Sequence, residues 1–202
     1  MSLKKELIKL ITNKKKGLRL DKFISFVLYE KDSYYASKDP IGKKKDFITA
    51  PEISQMFGEI LGAFILNHWS KNIQSKFNLI ELGPGKATLL EDILRTIKLD
   101  KKIIDSTNIK LVEKNNILTK VQKNKMYSLG YNNVKWFTEF TTNSKLPCII
   151  YANEFFDCLP IRQFQKNKYW YEKFVSYNKN LETFSFKDIK VTEKNLLNKL
   201  QN

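Results

Sequence analysis

The chain has 202 residues, 42% of them hydrophobic and 13% aromatic, which is ample for a packed core and excludes a disordered segment. Its formal net charge of +15 is almost all lysine, because Arg19, Arg95 and Arg162 are the only arginines. Arginine is the favoured fork for phosphate and base recognition, so the excess reads as a solvated lysine-rich surface and not as a specific nucleic-acid footprint.

Leu3, Leu7, Leu10 and Ile11 recur at helical spacing, and Gly17 is expected to close that first helix. The amphipathic start carries Glu6 and lacks the Arg/Ser bias of a transit peptide, so it reads as structure. A second helix is expected from Asp21 as N-cap, carrying Phe23, Val27 and Leu28, before the loop "KDSYYASKDPIGKKKD". Thr49 and Glu52 stand at capping-box spacing around Pro51, which predicts one long helix over "TAPEISQMFGEILGAFILNHW". His68 sits on its mostly apolar length and reads as a packed or surface histidine rather than a base.

From Phe77 short apolar runs alternate with helical patterns, the mark of βα units and a parallel sheet. Strands are expected near Asn78–Leu82, Asn108–Glu113, Val134–Phe137 and Cys148–Asn153, with helices near Thr88–Ile97 and Ile117–Leu129. After Pro160 aromatic and β-branched residues separated by Lys-Asn-Lys and Asn-Lys-Asn turns predict an antiparallel meander, followed by a polar tail that is helical or frayed. The expected division is a helical region with a covering segment (1–75), a Rossmann-like half (76–160), and a meander with tail (161–202). Cys148 and Cys158 are the only cysteines and no CxxC or HExxH spacing occurs, so zinc and disulfides are not expected and a reducing compartment fits. No apolar run reaches the roughly 18 residues of a membrane span, and the expectation is a soluble cytoplasmic protein with no membrane partner.

The stretch "NLIELGPGKATLLEDIL" runs from a strand through a glycine turn into a helix, which aims backbone N–H groups at the carboxyl end of the sheet. Its spacing excludes a P-loop, because Ile80 stands where the first glycine before Gly85-Lys86 is needed. A dinucleotide fingerprint fails too, since Thr88 occupies the third glycine's place and Glu81 would repel phosphate. What remains is E-x-G-x-G, with Glu81, Gly83 and Gly85 in position. This resembles the first motif of class I S-adenosylmethionine (SAM) methyltransferases, where the acidic residue and glycine backbone take the aminoacyl part of the cofactor. Glu113, at the end of the next strand, is placed to accept hydrogen bonds from a ribose diol.

Two further stretches, "DFITAPEISQMFGE" and "YANEFFDCLPIRQF", flank the loop with "DSYY" ahead of them. In that order and spacing they resemble the MidA family of SAM-dependent methyltransferases, whose mitochondrial members help assemble respiratory complex I and methylate a protein arginine. The resemblance covers about Leu7 to Val175. It implies a class I α/β fold with an N-terminal helical extension, and SAM contacts from Glu81, Gly83, Gly85 and Glu113, with Thr49, Ser54 and Gln55 at the cover. Asn153, Glu154 and Asp157 are then expected near the transferred methyl, the two carboxylates orienting a protonated guanidinium. Lys45 and Ala87 replace family glycines; Ala87 is expected to be mild, a methyl absorbed where helix packs on strand, and Lys45 to disturb the covering loop.

Family members are longer, with further core strands after the segment matching Val175. The expectation is therefore an N-terminal piece, marginally stable and poorly active alone, which pairs with itself or with a complementing C-terminal fragment. The implied partner is a protein substrate, a respiratory complex I subunit among the candidates, in the cytoplasm of a bacterium or the matrix of a mitochondrion. Two alternatives stay open: amino-methylation of a nucleobase, with Asn153-Glu154-Phe155-Phe156 where DNA enzymes keep an (Asn/Asp)-Pro-Pro-aromatic motif, and a non-catalytic assembly module with a relic loop.

Overall fold

Residues 2–30, 49–141 and 143–201 are described by the structure, a computed structural model. The "DSYY" stretch, Lys45 and Asp46 lie outside the described residues. In chain order the elements are α1 (Leu3–Thr12), β1 (Leu18–Arg19), α2 (Leu20–Tyr29), α3 (Ala50–Ile53), α4 (Gln55–Asn72), β2 (Phe77–Leu82), α5 (Thr88–Ile97), α6 (Lys101–Ser106), β3 (Thr107–Val112) and α7 (Asn116–Ser128). There follow β4 (Lys135–Phe137), β5 (Cys148–Ala152), a 3₁₀ turn (Phe156–Cys158), β6 (Phe164–Lys166), β7 (Trp170–Asn178), β8 (Thr183–Lys190) and α8 (Lys194–Gln201). The chain divides into two compact units, Met1–Lys38 with Cys158–Asn202, and Asp39–Asp157.

In the second of these, four parallel strands stand in the order β4-β3-β2-β5. The chain steps outward from β2 to β3 and β4, then returns to pair β5 on the other side of β2. That reversal opens a crevice at the carboxyl ends, where folds of this kind bind ligands. Strand β2 is buried at all six positions, as a central strand covered on both faces must be. Its two polar residues differ. Asn78 is satisfied, donating from Nδ2 to Ser144 Oγ at 2.7 Å, whereas Glu81 forms no ion pair among the described residues.

Helix α5 buries Leu89, Leu90, Ile93, Leu94 and Ile97, a single face at helical spacing, and each side chain of this size contributes about 1.5–3 kcal/mol. Against it lies α4, brought close because two of its residues lack side chains. A Cβ at Gly58 would meet Asp92 Cβ at 2.4 Å, and one at Gly62 would meet Thr96 Cβ at 2.8 Å. The opposite face of α4 leaves Met56, Phe57, Ile60 and Phe64 exposed.

The expected single helix from Thr49 is broken. Ser54 is extended (φ −144°, ψ 120°) and separates α3 from α4, and Thr49 makes no side-chain cap. The Glu52 carboxylate does not close a capping box; it accepts a hydrogen bond from Thr88 Oγ1 at 2.8 Å, so a tertiary partner has displaced the local one.

In the other unit β7 is the central strand of an antiparallel meander, pairing β6 and β8, with β1 joining it at Leu18↔Val175 and Arg19↔Phe174. Leu7 and Ile11 of α1, Leu18, Leu20, Phe26 and Val175 form its core. Helix α1 ends at Thr12, ahead of Gly17, which lies in the turn that feeds β1. Asp21 is not an N-cap either. It lies inside α2, and its carboxylate accepts from Arg19 Nε at 2.6 Å and Nη2 at 2.7 Å. The helix already starts at Leu20, and the guanidinium gives the carboxylate two charge-assisted bonds beside the one from the Lys22 N–H.

Candidate functional site

The loop after β2 is shaped by its backbone. Gly83 (φ +64°) and Gly85 (φ +54°) both lie in the left-handed region. At Gly83 a Cβ would also meet Phe155 Cδ2 at 2.5 Å, so sterics as well as φ demand glycine. The Gly83 N–H donates to Val112 O at 3.0 Å, tying the turn to the tip of β3. Ala87, at φ +58° and fully buried, is the N-cap of α5. The expected reason for its mildness is thus incomplete: the position wants glycine for backbone conformation and not only for packing, and alanine there costs on the order of 1 kcal/mol.

Glu81 closes β2 beneath this turn and is 2% exposed. Its register partner across the crevice is Tyr151 on β5, whose hydroxyl donates to Glu81 Oε2 at 3.2 Å. Burial without a counter-ion pushes the Glu81 carboxyl up to about 8, the Tyr151 hydrogen bond and the more distant Lys125 opposing and Glu113 adding to the rise. Burial and the same carboxyl hold the Tyr151 phenol well above its usual range, so it stays a donor.

Glu113 follows β3 and has both carboxylate oxygens engaged from one side. Oε1 accepts from the Asn115 N–H at 2.8 Å and Oε2 from Gln122 Nε2 at 3.2 Å. Burial raises this carboxyl too, while those donors pull it back. Gln122, fully buried on α7, also donates from Nε2 to Gly85 O at 2.7 Å and accepts from Trp136 Nε1 at 3.1 Å.

Thr49, Pro51, Glu52, Glu81, Gly83, Pro84, Gly85, Lys86, Thr88, Leu89 and Asn153 line one cleft of about 50 Å³, the room of a charged end group and not of a whole nucleoside. Of the expected site residues, Glu81, Gly83, Gly85, Thr49 and Asn153 therefore come together there. Glu113 stands at the neighbouring strand tip. Ser54 and Gln55 are exposed and do not line the cleft; Gln55 Nε2 instead donates to Glu59 Oε1 at 2.6 Å. Glu154 (φ +50°) and Asp157 are exposed just beyond β5.

Sequence reasoning missed Tyr151, Gln122 and the Glu52–Thr88 contact. Tyr151 could have been found from the register of two parallel strands; Gln122 shows only as a polar residue on the buried face of α7. A wider groove of about 430 Å³ on the meander is lined by Arg162, Tyr171, Lys173 and Asp188 among others, but its charges already pair with one another or with Glu172. Among the described residues no helix is long and apolar enough to cross a membrane, and no cluster of three His, Cys, Asp or Glu residues could hold a metal.

This arrangement of a parallel sheet, a glycine turn over a buried acid and a second acid at the next strand tip is that of a class I SAM-dependent methyltransferase. A family model described as "Putative S-adenosyl-L-methionine-dependent methyltransferase" matches residues 60–202, and the chain belongs to that family. It is 34% identical over 165 residues to the bovine mitochondrial protein arginine methyltransferase NDUFAF7 and 36% identical over 165 residues to the human one. In both cases the match takes in 70% of this chain and 37% of the relative, so the chain spans well under half the length of these proteins. The crystal structure of a Burkholderia thailandensis protein bound to S-adenosyl-homocysteine superposes with a TM-score of 0.79 at 20% identity, covering 99% of this chain and 52% of that one. A second crystal structure from the same organism gives a TM-score of 0.75 at 18% identity. These two support the fold.

Proposed function

We propose that the chain binds SAM and takes part in methyl transfer to a protein arginine. The observation that carries the reading is Glu81, a buried carboxylate under the Gly83-Pro84-Gly85 turn with no cation of its own. Burial makes this carboxyl costly to ionise, and an ammonium group bound beside it would favour the ionised form where a phosphate would oppose it.

The residues present fit that cofactor. Glu81 would take the ammonium, the glycine turn would hold the aminoacyl end, and Glu113 would accept from the ribose. SAM supplies an electrophilic methyl on sulfonium, so the protein's task is chiefly alignment. Asn153 at the cleft and the exposed Glu154 and Asp157 beyond β5 hold and turn the guanidinium of the incoming arginine, which stays protonated at neutral pH.

The relatives' names support arginine as the target and a mitochondrial setting where the host is eukaryotic; a subunit of respiratory complex I is the candidate substrate that the family resemblance suggests. Nucleobase methylation has less support, since all three arginines are engaged in ion pairs with Asp21, Asp92 and Glu172. Calorimetry with SAM tests the reading: micromolar binding lost on Gly85→Val supports it, and no heat with the folded chain makes the loop a relic. Labelled SAM with cell extract, followed by protease or nuclease digestion, then identifies the class of acceptor.

A further inference from the structure

We propose that Gln122 is a positioning residue for cofactor binding, one amide that sets both the glycine turn and the ribose-binding carboxylate. The inference rests on the reading of Glu113 as ribose acceptor and goes beyond it.

The argument starts from which atoms can donate. The indole Nε1–H of Trp136 is only a donor, so the Gln122 atom facing it at 3.1 Å is the amide oxygen. That fixes the amide's orientation without any choice of flip. The Gly85 carbonyl and the Glu113 carboxylate are only acceptors, and both face the amide nitrogen, at 2.7 Å and 3.2 Å. The two hydrogens of a single –NH₂ are thereby spent on two parts of the site that lie 28 positions apart in sequence, Gly85 and Glu113.

Only a carboxamide satisfies all three neighbours. A carboxylate at this position would face two acceptors, and an apolar side chain would leave a loop carbonyl, a carboxylate oxygen and an indole N–H without the partner that this fully buried side chain supplies. The direction of the contact matters as well. The Asn115 and Lys114 N–H groups hold the Glu113 carboxylate from the backbone, and Gln122 on Oε2 is the side-chain contact that sets its rotation and so the heading of its remaining lone pairs. A diol needs a planar acceptor held in a single orientation, so losing Gln122 should damage ribose recognition more than it damages the rest of the ligand's binding.

The test is calorimetry on the full chain with two probes, S-adenosyl-homocysteine and its 2′-deoxy analogue. The wild type is expected to favour the ribo form by about tenfold, the worth of one hydrogen bond to a charged group. In Gln122→Met and Gln122→Glu the preference should collapse to about twofold or less. Equal weakening of both ligands, with the preference intact in a variant that melts cooperatively, would show a merely structural residue and overturn the proposal. A wild type with no preference would instead sink the ribose reading of Glu113 itself, before any variant is made. If both Gln122 variants fail to fold, Trp136→Phe decides: it frees the amide to rotate but leaves it in place. An intermediate preference supports positioning, and an unchanged one overturns it.

Discussion

Glu172 in one unit and Glu81 in the other are both buried acids, and they are partnered in opposite ways. In the unit built around the meander, Glu172 receives two hydrogen bonds from Arg162 at 2.6 and 2.8 Å, and Asp21 is gripped by Arg19. The Arg19 hydrogen bonds outweigh partial burial and hold the Asp21 carboxyl below its usual range. In the parallel-sheet unit the buried Glu81 and the half-buried Glu113 have neutral hydrogen-bond donors, and burial raises both carboxyls. Nor is the second unit short of cations, because Asp92 on α5 has Arg95 at 2.9 Å. Glu81 is a buried acid without an ion pair among the described residues, and this teaches that an acid kept from ionising by burial marks the place a cationic ligand should complete.

The contrast predicts opposite signs for the same kind of substitution. Glu172→Ala should destabilise the chain by about 2–4 kcal/mol, since it strands a guanidinium that is two-thirds buried; urea unfolding measures this. Glu81→Gln should stabilise the ligand-free chain by on the order of 1–3 kcal/mol at pH 8 while abolishing SAM binding. A loss of stability in that variant would mean that the Glu81 carboxylate has a counter-ion after all.

The pH dependence sharpens the same point. The Glu81 carboxyl titrates near 4.5 in the unfolded chain and near 8 when folded, so the folded state holds the proton more tightly. Below about pH 4.5 its contribution to stability is fully present, and it declines as pH rises toward 8, by a few kcal/mol in all. The slope between pH 5 and 8 should flatten in Glu81→Gln. Asp21 acts in the opposite sense, its contribution present above its unfolded value and lost as pH falls through its lowered folded one; Arg19→Ala should remove that acid limb. The smallest effect is expected of Ala87→Gly, a gain of less than about 1 kcal/mol in which relief of the left-handed backbone narrowly exceeds the lost methyl contact.

Much of the sheet was legible because apolar runs such as "FNLIEL" and the α5 pattern Leu89, Leu90, Ile93, Leu94, Ile97 report burial directly. The loop's chemistry was legible for a similar reason: an acid where phosphate would sit changes which ligands are possible. Less visible was anything decided by a distant partner. Glu52 has capping-box spacing, yet bonds Thr88, and the helix breaks at Ser54, where the local pattern shows no stop. Asp21 looks like a cap until Arg19 is placed beside it. The pairing of Leu18 and Arg19 with β7 has no local signal at all, since two residues carry no period.

The Glu81–Tyr151 contact joins positions 70 residues apart, with β3 and β4 in the chain between the two paired strands β2 and β5. Closing so long a loop delays the reward for forming it, which makes the crevice a late event on the folding pathway. Mutations at Tyr151 should then chiefly speed unfolding and change the refolding rate little.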